Sequence, residues 1–331
     1  MNLVKKIQEN IFRYELFERD AKIVIGVSGG PDSVCLLDVL SKLQKKYNLE
    51  LIVAHVNYDL RGKYSDLDEK LVRNLAEKYS LPIEILKVKN SEIKKVGKSE
   101  DKLRTIRYDF FEKVLKKYKA DLVAVAHNLN DQAETVLMRI LRGTGLRGLG
   151  AIRFSSRRCP TAQPEKNADG HLLIRPLLNI PRKEIIAYLR KGKIPYRIDK
   201  TNLGTDFTRN KIRNKLLHQL EKDFNPNIQE LLCKFSESVA ADYDFIARFA
   251  NAWLAENKNL QVSALNNLHP SICREVLRRS LEKYAPDLRE IESAHIDEIM
   301  KILKSNKSKR QQLHFKSLKI GRIGDKLIIG R

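Results

Sequence analysis

Residues Lys22 to Ser33 read KIVIGVSGGPDS, and the rest of the chain is best understood outward from them. The short β-rich run Lys22 to Val27 passes into Ser28-Gly29-Gly30-Pro31-Asp32-Ser33 and then into a helical pattern, Ser33 to Lys46. A glycine-rich turn between a strand and a helix N-terminus presents backbone N–H groups to an anion, and that geometry cradles phosphate. Two glycines let the backbone approach a ligand closely. The Ser28 and Ser33 hydroxyls can donate to phosphate oxygens, and Asp32 can hold Mg²⁺ against them. A plain strand-to-helix turn with an Asp or Ser cap would explain a bare Gly-Gly. Two serines and an aspartate beside it favour phosphate.

The same alternation continues beyond the turn. Leu51 to Val56, Ile83 to Val88 and Leu122 to His127 read as strands, and Leu67 to Tyr79, Lys102 to Lys119 and Asp131 to Leu141 as helices. Each helix is long enough to serve as a crossover between parallel strands. The fold class is therefore α/β, a doubly wound parallel sheet. Ligands of such sheets bind beyond the carboxyl ends of the strands, so chemistry is expected just after these four runs. A Walker A loop is excluded, because the triplet Gly97-Lys98-Ser99 has Glu92 where the first glycine must stand. Ser155 to Gly170, SSRRCPTAQPEKNADG, reads as a mobile loop. From about Lys211 to Asn257 the pattern is helical, with a break at Asn225-Pro226-Asn227. These shifts predict a catalytic domain over 1–215, a helical linker over 216–257 and a smaller basic C-terminal domain over 258–331.

Lys and Arg number 63 against 41 Asp and Glu in 331 residues, a net charge of +22 that points to a polyanionic partner, nucleic acid first. Lys301 to Arg331 alone holds ten basic residues and one acid, Asp325, and Lys307, Lys309 and Arg310 are candidate phosphate contacts there. A hydrophobic fraction of 42% supports a real core and excludes a wholly disordered chain. No apolar run approaches the roughly 20 residues of a membrane span. The N-terminal stretch carries Glu9, Glu15, Glu18 and Asp20 and reads as a folded first helix rather than a targeting segment. Four scattered cysteines suggest neither a disulfide framework nor a CxxC metal site, which fits a reducing cytoplasm. The oligomeric state is left open.

SGGPDS resembles the loop of the PP-loop ATP pyrophosphatases, and the later strand ends narrow the resemblance. His55 to Arg61 (HVNYDLR), Leu103 to Tyr108 (LRTIRY), Ala126 to Thr135 (AHNLNDQAET), Arg139 and Arg142 to Leu149 (RGTGLRGL) are similar to segments of the tRNA(Ile)-lysidine synthetase family. So are Arg175 to Leu178 and the set Asp199, Asn202, Arg209, Asn210 and Arg213. The resemblance runs in order over about Ile23 to Arg213; Tyr58 and Asp59 depart from the family's His-Gly.

The resemblance implies joining the ε-amine of free L-lysine to C2 of the wobble cytidine in the CAU anticodon of an isoleucine tRNA. The implied route is an adenylated cytidine, with release of AMP and pyrophosphate and a change of codon reading from AUG to AUA. Ser28, Gly29, Gly30, Pro31, Asp32 and Ser33, with His55 and Asn57, would then bind ATP, and Asp32 would hold Mg²⁺. Asp131 and Glu134, at i and i+3, share a helix face and would hold lysine. Asp32, Arg107 and His127 would serve catalysis, while Arg139, Arg142, Arg175 and Arg209 would neutralise phosphates. Each has a plainer alternative: surface solvation for the arginines, an ion pair with Arg139 or a neighbouring helix for Glu134, and strand-end packing for His55, Asn57 and His127. Asp199 and Asn202 suit a structural turn. Competing classes are a tRNA 2-thiolation enzyme, which needs paired cysteines, and a non-catalytic RNA-binding protein. The intact Ser28, Asp32 and Ser33 argue against the second.

Overall fold

The structure, a computed structural model, describes residues 2–60, 62–88, 100–158, 171–198, 208–282, 284, 292–305, 311–315 and 318–330. The described chain divides into two compact units, one of residues 2–142, 151–158 and 171–236, the other of 143–150 and 237–330. The order begins α1 (Leu3–Arg13), β1 (Lys22–Gly26), α2 (Pro31–Tyr47), β2 (Glu50–Asn57), α3 (Lys63–Lys78), β3 (Ile83–Lys87), α4 (Glu100–Tyr118), β4 (Leu122–Ala124) and α5 (Leu129–Leu141). It continues with α6 (Leu146–Leu149), β5 (Ser155–Arg158), β6 (His171–Ile174), α7 (Arg182–Lys191), α8 (Thr208–Lys211), a π-helical turn (Ile212–Leu216) and α9 (Leu217–Asp223). The remainder is α10 (Ile228–Glu256), α11 (Val262–Asn266), α12 (Pro270–Glu282), α13 (Ser293–Lys304), β7 (Gln311–Phe315), β8 (Leu318–Ile323) and β9 (Lys326–Gly330).

The first unit is built on a six-stranded sheet of order β3-β2-β1-β4-β6-β5, parallel except for β5. Ile23 faces Leu51 on one side and Leu122 on the other, so β1 lies where the winding reverses. Crevices open at the carboxyl ends of strands at such a reversal. The two-residue period sorts the side chains into two cores. Ile23, Ile25, Leu51 and Val53 pack with α1, α2, α3 and α7, while Val24, Ile52, Ala54 and Val123 pack against Tyr108, Phe111, Val114 and Leu115 of α4. Burial on both faces explains why these strands are continuously apolar.

The four expected strands and the helices between them stand close to their predicted positions, and the expected turn separates α9 from α10. The stretch expected to be a loop is corrected in part. Ser155–Arg158 pairs antiparallel with β6, Arg157 opposite Leu172, and 159–170 lie outside the described residues. The residues SSRR carry no apolar pattern because an edge strand pairs on one side only. In the second unit α11, α12, α13 and the antiparallel β7-β8-β9 sheet enclose Val262, Leu265, Val276, Leu277, Ile299 and Ile320. Among the described residues no helix is long and apolar enough to cross a membrane.

Candidate active site

β1 ends at Gly26, where a Cβ would stand 2.6 Å from Cζ of Phe111, so any side chain there would push the Phe111 ring of α4 off the strand end. The chain then turns through Gly29, whose φ of +88° is open to glycine at no steric cost. Pro31 opens α2 at a position where a missing N–H is harmless. Inside the turn the Ser28 N–H donates to Ser33 Oγ at 3.1 Å, the two serine hydroxyls lie 3.1 Å apart, and Ser33 Oγ donates to the Gly30 carbonyl at 3.0 Å. From outside, the Arg197 N–H donates to the Gly29 carbonyl at 3.0 Å while its guanidinium pairs with Asp68 of α3. Sequence reasoning did not single out these two residues. They are far apart in the chain and carry no local signal.

A cleft of about 220 Å³ opens above the turn, bounded by Ser28, Gly30, Asp32 and Ser33 below and by Tyr58, Arg107, Tyr108, Phe111 and His127 around it. Phosphate-binding turn, arginine and histidine are thus brought together. Asp32 stands in the first turn of α2, and its Oδ1 is buried with no hydrogen-bond partner among the described residues. Burial holds its pKa above the ordinary carboxylate value; Arg182, 3.8 Å away, opposes this and Asp131 adds to it. Arg182 begins α7 and gave no signal in the sequence. The orphaned Oδ1 and the hydroxyl-lined turn fit a hard cation bound between carboxylate and phosphate. His127 lies just past β4, and burial together with Arg175, Arg104, Arg107 and Arg209 holds its pKa well below the usual value. It is a neutral imidazole whose Nδ1 has no partner among the described residues.

Other candidates are placed differently. His55 donates from Nδ1 to the Val27 carbonyl (2.8 Å), burial lowers its pKa, and it does not line the cleft. The Asn57 amide donates to Glu69 at 3.0 Å and its carbonyl accepts the Asp59 N–H at 2.9 Å, and it too does not line the cleft. Arg175 is held within the fold. It is 5% exposed, donates to the Arg153 carbonyl at 2.7 Å and to Ser156 Oγ at 3.0 Å, and burial pulls its pKa down to about 10. Arg139 donates to the Ala151 carbonyl at 3.2 Å, and Arg142 is exposed at the end of α5. Asp199, Asn202, Lys307, Lys309 and Arg310 lie outside the described residues.

Asp131 and Glu134 do share the first turns of α5. Asn128 and Asp131 form a reciprocal cap, each side chain accepting the other's N–H at 3.1 Å. Glu134 is fully buried; Arg209 donates to it at 2.9 Å and Arg213 at 3.0 Å, and both also reach Asp131. The plainer alternative, pairing with a neighbouring helix, is thus met through Arg209 of α8 and Arg213 of the π-helical turn. Burial alone would lower the Arg213 pKa, but Glu134 outweighs it and the net shift is upward. Arg213 sits in the π-helical turn, whose extra residue per turn suits Ile212 and Leu217, five positions apart, packing together against Ala133 of α5. Two carboxylates and two guanidiniums thus balance one another at the start of α5.

The family models fall in the same order as the units. A PP-loop domain model matches residues 2–220, and a model described as the TilS substrate binding domain matches 260–327. The sheet, its phosphate turn and the cleft are those of the PP-loop ATP-binding class. The "tRNA(Ile)-lysidine synthase" of Clostridioides difficile is 35% identical over 98% of this chain and 70% of its own length. That of Clostridium tetani is 33% identical over 98% and 68%. The chain belongs to the tRNA(Ile)-lysidine synthase family. Among solved structures, a U34-tRNA thiolase from Methanococcus maripaludis shares the fold, with a TM-score of 0.57 and 21% identity over 71% of this chain and 76% of that one.

Proposed function

We propose that this chain joins free L-lysine to C2 of the wobble cytidine of an isoleucine tRNA with a CAU anticodon, consuming ATP. Cytidine O2 attacks the α-phosphate, pyrophosphate leaves, the lysine amine adds to C2 and AMP departs. The observation that carries this reading is the adjacency of two sites at the carboxyl ends of β1 and β4. A phosphate-binding cleft adjoins the Asp131–Glu134 pair, near enough for Asp131 to raise the pKa of Asp32.

Ser28, Gly30 and Ser33 hold the ATP phosphates, and Arg107 steadies the charge that passes to the leaving groups. Asp32 would hold Mg²⁺, which when bound would supply further neutralisation of the phosphates. Neutral His127 takes the proton the amine sheds as the C–N bond forms. Asp131 and Glu134 receive the lysine ammonium, a cation like the guanidiniums they now hold. Positive charge in the second unit supports tRNA binding there.

The test is incubation with ATP, Mg²⁺ and radiolabelled lysine, with and without the unmodified tRNA. Label retained on RNA, dependent on ATP and lost when the wobble cytidine is changed, is the expected result. ATP cleavage without label would mean another nucleophile. Sulfur transfer is disfavoured by Cys35, buried in α2 with its thiol pKa pushed up by burial and by Asp38.

A further inference from the structure

The peptide between Gly29 and Gly30 is the one in the phosphate turn that its own residues restrain least. Gly29 stands at a φ of +88°, and a half-turn of this peptide would carry Gly30 from a φ of −74° to a positive φ, which glycine accepts at no steric cost. In a trans peptide the carbonyl and the N–H point in opposite directions, so whatever holds the Gly29 carbonyl also aims the Gly30 N–H. The Arg197 N–H holds that carbonyl at 3.0 Å. The Gly30 N–H is thereby turned into the loop on the wall of the cleft, where Ser28 Oγ, at 3.4 Å, is too far to satisfy it fully.

The bond from Arg197 is a main-chain one, and the Arg197 side chain anchors the main chain that makes it. Its guanidinium donates to Asp68, which is 8% exposed on α3 and whose Cβ lies 3.6 Å from where a Gly29 Cβ would stand. Asp68 therefore packs against the turn and also holds the residue that bonds to it. Val72 of the same helix packs on the face of the sheet opposite the one covered by Phe111, and Phe111 lines the cleft. The pair thus stands behind the turn, and neither member lines the cleft.

We propose that Asp68 and Arg197 are positioning residues that fix the Gly29–Gly30 peptide so that the Gly30 N–H meets a phosphate of ATP. The proposal rests on the reading of this turn as the ATP site. A donor aimed before the ligand arrives needs no reorganisation, so loss of the pair weakens the phosphate contact and leaves contacts to the nucleoside alone. The test is isothermal titration of the full chain with ATP and Mg²⁺, and separately with adenosine, at a temperature where circular dichroism shows every variant folded. Arg197→Met and Asp68→Leu should each weaken ATP binding about tenfold and leave adenosine within about twofold of wild type. The double variant should lose no more than either single one, because the two residues act as a unit, and Arg197→Lys should recover most of the affinity. Unchanged ATP affinity in the single variants, equal losses for ATP and adenosine, or additive losses in the double variant would each overturn the proposal. A wild type that binds ATP no better than adenosine would overturn the reading of the turn itself, and the role of the pair with it.

Discussion

Asp32 holds a negative charge at a helix start that favours it, in a pocket that desolvates it, and desolvation wins. A carboxylate with a raised folded-state pKa costs stability that grows as pH rises from the ordinary carboxylate range through the raised value. Asp32→Asn should therefore raise the melting temperature near pH 7, with the gain shrinking as pH falls to about 4. Pyrophosphate release should fall at least ~100-fold in the same variant. A protein that melted lower and kept its activity would remove Asp32 from the metal and phosphate site. Glu134 is the opposite case, a buried charge well matched by Arg209 and Arg213. Glu134→Gln leaves both guanidiniums undercompensated and should cost about 3 kcal/mol. At temperatures where the variant is folded, KM for lysine should rise far more than KM for ATP; equal rises would sink the lysine assignment. The individual residues of the turn were legible because glycine, serine and aspartate each have a chemical reason to follow a strand. Arg182, Arg197 and Asp68 were not, since their roles arise from contacts across more than a hundred positions.

The strand, turn and helix formed by β1, residues 27–30 and α2 depend on one left-handed position, Gly29. A Cβ there would have room, its nearest neighbour being Asp68 at 3.6 Å, so the obstacle to substitution is the positive φ rather than a clash. Gly29→Ala should cost about 1–2 kcal/mol and raise KM for ATP, while Gly29→Asn should cost less because asparagine tolerates positive φ better. Thermal melts and ATP titrations of the pair check this, and equal penalties would mean that space, not conformation, is limiting. Elements with a repeating apolar pattern were readable in advance: β1, β2 and α4 bury apolar residues wherever they meet the sheet core. β5 was unreadable because its polar SSRR gains its place from backbone pairing with β6, and the π-helical turn because its pitch is set by what Ile212 and Leu217 pack against.

At the scale of the whole molecule, composition already pointed to the class of partner, and charge decides how strongly that partner is held. A net of +22 in 331 residues implies a tRNA affinity that falls steeply with salt, each neutralised phosphate adding about 0.7–0.9 to the slope of log affinity against log salt. Lys319 and Lys326 are exposed on β8 and β9, whereas Arg322 between them is engaged by the carbonyls of Ile302, Leu303 and Ser305. Of the three, the two lysines are therefore the ones positioned to meet a phosphate backbone. Replacing both by alanine should lower the slope by about 1.4–1.8 and weaken binding more at about 50 mM salt than at about 200 mM, with ATP affinity unchanged. Filter binding across a salt series measures both quantities. An unchanged slope would place the tRNA backbone on another face of the second unit, and a slope near zero in the wild type would mean that the excess charge does not hold RNA at all.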